Sequence, residues 1–161
     1  MYRKVKSMVK KPKTYKIYPF YDKLLYSFLS IYERDSLTEE LIKRYFHFDD
    51  ISKAGKYNLN QFIEHILNDI FNYKEPINEL SFYLSDPRVK HIKELFNNNH
   101  HDKQRVELSV RISETTIQKV SSFSEHTETI GEVIELALAY HLSICDKRIY
   151  SIIEFYFKQN L

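Results

Sequence analysis

The chain has 161 residues with a net charge of +2, and 43% of the residues are hydrophobic, which is enough to bury one core or two small ones. Its two glycines cannot form a three-glycine dinucleotide-binding loop, and its single cysteine excludes an internal disulfide and fits a reducing cytoplasm. Charged residues interrupt every apolar stretch, so no membrane span is expected. Long segments of helical periodicity, with few glycines and prolines, predict a mainly α protein.

A basic segment opens the chain. It contains Arg3, Lys4, Lys6, Lys10, Lys11, Lys13 and Lys16 and no acidic residue. Since the whole chain carries +2, the residues after this segment together carry −5. We expect a flexible arm over residues 1–17 that is suited to tracking phosphates. A solubilising tail is the alternative, because charge runs are often only solvated.

Residues 18–97 are predicted to form a helical bundle. Apolar side chains recur there at three- and four-residue steps, and turn residues separate the periodic stretches. The predicted helices lie at about 24–32, 41–46, 59–71 and 89–96, with a short segment at 80–84. Asp86 and Pro87 have the pattern of an N-cap and a first-turn proline ahead of the last of these helices.

Residues 98–104 are expected to link this bundle to a second module, because they have no periodicity. The linker contains His100, His101 and Asp102. Together with His91 these side chains could suggest a metal site, but the ligand spacing of zinc sites is missing, and a polar linker is favoured. Cys145 lacks the surroundings of a nucleophile and is expected to be a small buried side chain. No catalysis, metal or cofactor is therefore predicted.

Residues 105–112 alternate between polar and apolar side chains, which is the pattern of a half-buried strand. The apolar set is Val106, Leu108, Val110 and Ile112. The polar set is Arg105, Glu107, Ser109 and Arg111. Because a lone strand cannot satisfy its own edges, this pattern predicts a partner strand from a second chain.

Two capped helices are predicted after the strand. Ser113 has the position of an N-cap before a narrow apolar stripe. The stripe consists of Ile117, Val120 and Phe123. Thr129 and Glu132 form a capping box before the second helix. Its apolar positions are Ile130, Val133, Ile134, Ala137, Leu138 and Leu142. A last helix is predicted at 146–159, with an aromatic stripe that packs in the core or, as the alternative, on a second chain.

Strand, helix and helix in this order resemble the ribbon-helix-helix family of DNA-binding proteins, over residues 104–144. In that family two chains pair their strands into an antiparallel ribbon that enters the major groove. The resemblance implies DNA base contacts by Glu107, Ser109 and Arg111. It implies DNA phosphate contacts by Lys103, Arg105, Thr129, Ile130 and Gly131. It implies a dimer core made of Val106, Leu108, Val110, Ile112, Ile134 and Leu138.

The charge of this module is unfavourable for DNA binding. Between residues 105 and 142 there are three basic and six acidic residues. Because duplex binding depends on positive charge that releases counterions, the module alone is expected to bind poorly, and the basic arm has to contribute.

The leading hypothesis is a homodimeric, sequence-specific DNA-binding protein. It would have an N-terminal helical bundle, a ribbon-helix-helix module and an extra C-terminal helix. Its partners would be double-stranded DNA and a second copy of itself, with higher-order assembly on DNA. It would act in the cytoplasm, as a nucleoid-associated or mobile-element protein, in transcription regulation or in DNA segregation or transfer. A second hypothesis makes the module only a dimerisation scaffold, with the bundle binding a protein partner.

Overall fold

The computed structural model describes residues 12–34, 59–71, 84–98, 103–123 and 129–159. In these ranges the protein is mainly helical, as predicted, with one two-stranded antiparallel sheet. The elements in chain order are β1 (Pro12–Ile17), α1 (Pro19–Arg34), α2 (Leu59–Phe71), α3 (Pro87–Asn97), β2 (Val106–Arg111), α4 (Glu114–Phe123), α5 (Ile130–Ile144) and α6 (Lys147–Gln159). Outside the described residues lie Arg3, Lys4, Lys6, Lys10, Lys11, His100, His101, Asp102 and the predicted helix at 41–46.

β2 pairs with β1 of the same chain. The antiparallel register runs from Pro12 opposite Arg111 to Ile17 opposite Val106. The predicted strand is therefore confirmed, but its ribbon is formed inside one chain and not between two. The same pairing corrects the prediction of a flexible arm, because the last six residues of that arm are a strand.

β1 can pair with β2 because its side chains alternate in the same way. Ile17 is fully buried and Tyr15 packs against the core, whereas Thr14 and Lys16 are exposed. Both strands thus place their apolar side chains on the same core. β2 obtains a hydrogen-bonded neighbour without a second chain.

Side-chain caps begin three of the helices. Asp86 caps α3, with proline as the first helical residue. The hydroxyl of Ser113 accepts a hydrogen bond from the Thr116 amide at 3.3 Å, and that of Thr129 accepts one from the Glu132 amide at 3.2 Å. These three contacts confirm the predicted starts of α3, α4 and α5.

One hydrophobic core is shared by all eight elements. α5 lies at its centre, since every residue from 133 to 142 is buried and the helix packs on β1, α1, α2, α3 and α4. This arrangement corrects the expected division into a bundle at 18–97 and a separate module at 105–144. Ile134 and Leu138, predicted as part of a dimer core, are buried in this core.

α6 packs on α1 and α3 through one apolar face. Ile149, Ile153 and Phe157 are buried on this face, which confirms the core interpretation for that part of the stripe. Phe155 is 55% exposed and lies outside the core.

His91 and Cys145, considered above as a metal ligand and as a nucleophile, both have surroundings typical of structural residues. His91 Nε2 on α3 lies 2.7 Å from Glu154 Oε2 on α6, so the pair joins these two helices. Cys145 is buried, as predicted, and burial raises the pKa of its thiol to about 12. A thiol that stays protonated is a poor nucleophile.

Candidate nucleic-acid interface

The outer face of the β1–β2 ribbon is polar. Its described side chains are Thr14, Lys16, Glu107, Ser109 and Arg111, all of them exposed. Lys16 lies opposite Glu107, and Thr14 lies opposite Ser109 with the two hydroxyl oxygens 3.3 Å apart. The three predicted base-contact residues therefore share one surface with two side chains of β1.

The inner face of the ribbon is apolar. Leu108 and Val110 are 2% exposed and Ile112 is 6% exposed, which confirms their inward orientation. Val106 is 37% exposed, unlike the other three apolar side chains of this face. The reason is its position, because it is the first residue of β2 and pairs with the last residue of β1 at the end of the ribbon.

α2 begins beside β2. Asn60, the second residue of this helix, accepts a hydrogen bond at Oδ1 from the backbone amide of Arg111 at 2.9 Å. Because this contact uses the main chain of Arg111, the guanidinium is left on the exposed face of the ribbon.

α5 begins beside β1 in a similar way. A Cβ on Gly131, the second residue of α5, would lie 2.2 Å from the carbonyl oxygen of Lys16. Only glycine allows the helix to approach the strand so closely. Of the phosphate contacts predicted here, Gly131 is buried, Ile130 is half-buried, and Thr129 is exposed with its hydroxyl engaged in the cap.

Glu64 of α2 holds the start of α4. Its Oε1 accepts a hydrogen bond from the amide of Ser113, and its Oε2 accepts one from the hydroxyl of Thr116 at 2.7 Å. The side chain is 9% exposed. A carboxylate at this place is also favoured by the positive end of the α4 helix dipole.

Glu135 of α5 has the matching role at the start of α1. It is fully buried, and its Oε2 accepts a hydrogen bond from the amide of Tyr18 at 2.8 Å. Burial raises the pKa of Glu135, against the opposing effects of the Tyr18 hydrogen bond and of the Arg105 charge.

Arg105 is directed towards the protein. Its Nη2 lies 3.6 Å from Glu135 Oε1, and its guanidinium lies 4.3 Å from the centre of the Tyr18 ring. Lys103, also predicted to contact phosphate, is exposed. Of these two cations, Lys103 has the freer side chain for a ligand.

The candidate interface has a different charge balance from the one counted over residues 105–142 of the sequence. Glu135, one of the six acids counted between residues 105 and 142, is buried beside a guanidinium. β1 brings the exposed Lys13 and Lys16 to the ribbon. Residues 1–11, with five basic and no acidic residues, precede the strand directly. The basic N-terminal segment is far from residues 105–144 in the sequence, but its last residues form β1 and so lie in the ribbon.

The sequence patterns do not identify the roles of Glu64, Glu135 and Tyr18 in holding the helices beside the ribbon. Glu64 and Glu135 each lie three residues before an apolar stripe position, Leu67 and Leu138 respectively. An acid on the apolar face of a helix needs a partner, and this position is a signal that could locate such residues. Tyr18 contributes a backbone amide, which no side-chain pattern reveals.

No family model matches the chain, and comparisons with curated proteins and with solved structures found no similar protein. Among the helices that the structure describes, none is long and apolar enough to cross a membrane. In the same parts of the chain, no group of three or more His, Cys, Asp or Glu side chains is placed to hold a metal ion.

Proposed function

We propose that the protein binds duplex DNA in a sequence-dependent way, with the exposed face of the β1–β2 ribbon in the major groove. The observation that carries this proposal is a two-stranded ribbon that buries one face in the core and presents a row of polar side chains on the other. The major groove admits a two-stranded ribbon, and base edges in it present hydrogen-bond donors and acceptors.

The order of β2, α4 and α5 supports the likeness to the ribbon-helix-helix family. The difference lies in the second strand, which β1 of the same chain supplies. For this reason the proposed DNA-binding unit does not require a ribbon between two chains. β1 of the same chain pairs with one edge of β2, so the dimer ribbon on which the scaffold hypothesis depends is not needed to pair this strand.

The side chains of the exposed face have the chemistry for base contacts. Arg111 can donate two hydrogen bonds to guanine O6 and N7. Ser109 and Thr14 can donate to or accept from several bases, and Glu107 can accept from cytosine N4. These groups would supply sequence dependence.

Affinity would come from the cations around this face. Lys13 lies on the same ribbon. Five basic residues precede β1 in the sequence, and β1 begins at Pro12, which is paired with Arg111. Such charges release counterions from DNA and bind without regard to sequence. The proposed location is the cytoplasm. The proposed role is in transcription regulation or in DNA segregation or transfer, with further copies assembling on the DNA.

The test uses fluorescence anisotropy with two duplexes over a series of salt concentrations. One duplex, called the selected duplex, is obtained by selection from a random pool, and the other has random sequence. Arg111→Ala is expected to weaken binding to the selected duplex roughly 10- to 100-fold while changing random-DNA binding far less. Lys147→Ala is the matched control. This lysine is exposed at the start of α6, a helix that packs on α1 and α3 and is not part of the ribbon.

Removal of residues 1–11 separates affinity from sequence dependence. The shortened chain keeps β1 and is expected to bind every duplex more weakly. Its slope of log affinity against log salt should be smaller by about 0.9 for each phosphate that the removed residues neutralise in the full chain. If Arg111→Ala and Ser109→Ala leave the selected-duplex affinity unchanged while this truncation abolishes all binding, base contact by the ribbon is wrong.

A further inference from the structure

The described elements form two similar series. β1 is followed by α1, α2 and α3, and β2 is followed by α4, α5 and α6. Packing repeats this relation, since α5 packs on β1 and α1, whereas α2 packs on β2 and α4. α2 and α5 also pack on each other, as two equivalent helices beside a two-fold axis do.

Two carboxylates have the same position in the two series. Glu64 is the sixth residue of α2, and Glu135 is the sixth residue of α5. Glu64 accepts the amide of Ser113, and Glu135 accepts that of Tyr18. Each of these amides belongs to the residue directly before a helix. The start of each first helix is therefore held by the second helix of the other series.

The second residues of the same helices also correspond. Asn60 of α2 bonds to the main chain of Arg111, and Gly131 of α5 lies against the main chain of Lys16. Arg111 and Lys16 each lie two residues before the amide that a carboxylate holds. The correspondence therefore extends into both strands.

These matches locate the axis of the approximate symmetry. Lys16 and Arg111 have the same chain separation, 95 residues, as Thr14 and Ser109. Thr14 and Ser109 are also opposite each other in the ribbon. A residue that faces its own counterpart lies on the axis, so the axis passes through this pair at the exposed face.

Lys16 and Arg111 lie two residues from the axis on opposite sides. Both are exposed cations that can donate to guanine O6 and N7. Lys16 faces Glu107, an acceptor suited to cytosine N4, whereas Arg111 faces Pro12. The two halves of the face are thus similar in chemistry without being identical.

We propose that one copy of the chain is a complete recognition unit for near-palindromic duplex DNA, in which Lys16 and Arg111 each contact a guanine in one half of the site. This inference rests on the proposed function and extends it to the number of chains bound and to the symmetry of the target. Lys16, assigned from the sequence to a phosphate-binding arm, becomes a base-contacting residue.

Native mass spectrometry of the full chain on the selected duplex tests the number of chains. At saturation we expect one chain for each site. A specific complex that always contains two chains overturns the inference and leaves DNA binding itself intact. If the wild-type chain binds selected and random duplexes equally, the proposed function fails as well.

Base substitution in the selected duplex tests the two guanine contacts. Replacing the G·C pair of either half by A·T is expected to weaken wild-type binding roughly 10- to 100-fold. Lys16→Ala should remove the sensitivity to one half only, and Arg111→Ala the sensitivity to the other. Lys13→Ala is the matched control, since this exposed lysine alternates to the other side of β1 and should weaken all duplexes alike. If Lys16→Ala behaves like this control, Lys16 contacts phosphate and the inference is overturned.

Discussion

Gly131 shows how one residue controls the contact between a helix and the ribbon. Its Cα lies so close to Lys16 that an added methyl group would meet the carbonyl oxygen at 2.2 Å. The obstacle is backbone, which cannot rotate away as a long side chain can. The position of α5 relative to β1 therefore depends on the absence of a side chain at this residue.

Gly131→Ala is expected to destabilise the fold by about 1–3 kcal/mol, because the helix or the strand has to shift. The sign is informative, since glycine to alanine within a helix ordinarily stabilises by about 0.5–1 kcal/mol. Urea unfolding followed by circular dichroism measures the change. Ser121→Ala on the exposed face of α4 is the control and should change stability by less than about 0.5 kcal/mol. A free energy of unfolding that is equal or higher for the Gly131 variant would contradict the close approach.

His141 is a titratable group inside the core. Its ring centre lies 4.7 Å from that of Phe28 and 5.6 Å from that of Phe62. Burial lowers the pKa of His141 from 6.5 to about 3. Between these two pH values the unfolded chain binds a proton at this histidine and the folded chain does not. The stability associated with a neutral His141 is therefore present above pH 6.5 and is lost as the pH falls below it.

His141→Leu is expected to remove this acid sensitivity. In the wild-type chain His141 should contribute a fall of up to about 1.4 kcal/mol in unfolding free energy for each unit of pH below its unfolded pKa. Urea unfolding at several pH values from about 7 to about 4.5 measures the slope for both chains. The absolute stability of the variant does not enter the comparison. Parallel pH profiles for the two chains would show that His141 is not buried in its neutral form.

At the scale of whole elements, two buried carboxylates each hold the start of a helix other than their own. Glu64 connects α2 to α4, and Glu135 connects α5 to α1. Both contacts join segments distant in sequence. They fix the helices that flank the ribbon, so they position the exposed face without contributing to it.

Glu64→Ala is expected to leave the Ser113 amide and the Thr116 hydroxyl without their acceptor, at a cost of about 1–3 kcal/mol for each buried group left unsatisfied. Glu64→Gln keeps one acceptor oxygen and should cost less. Urea unfolding gives the free energies, and hydrogen exchange at the Ser113 amide reports the contact directly. If Glu64→Ala has the same stability and the same exchange at Ser113 as the wild-type chain, Glu64 does not hold α4.

Local sequence patterns predict several of these elements. Period-two alternation identifies β2, and capping residues identify the starts of α3, α4 and α5, because the physical causes lie within a few neighbouring residues. Pairing of β1 with β2 depends on residues 95 positions apart, as at Thr14 and Ser109, and alternation says nothing about which strand is the partner. Within β1 only Tyr15 and Ile17 provide an apolar signal, and the lysines around them resemble a solvated tail.

Across the molecule as a whole, the single-chain ribbon changes which side chains make up the proposed base-contacting surface. Three of its side chains are identified from the sequence, namely Glu107, Ser109 and Arg111. Thr14 and Lys16 join them only because β1 lies in register beside β2. The same pairing brings α2 and α5 together in one core and produces the approximate two-fold relation on which the recognition proposal depends.

The proposed DNA-binding surface exists only if β1 and β2 of one chain form the ribbon. Thr14 and Ser109 are opposite each other with hydroxyl oxygens 3.3 Å apart, so cysteines at both positions should reach the geometry of a disulfide. The Ser109→Cys single variant is the control. It has no introduced partner thiol within its own chain, and it should remain reduced and monomeric.

The deciding measurement is the intact mass of the oxidised Thr14→Cys, Ser109→Cys double variant under non-reducing conditions at low protein concentration. A single-chain ribbon predicts the mass of one chain, two hydrogen atoms lighter than the reduced protein because one internal disulfide has formed. A covalent dimer as the main product, in the double variant or in the Ser109→Cys control, would show that strands of different chains pair and would contradict the single-chain ribbon.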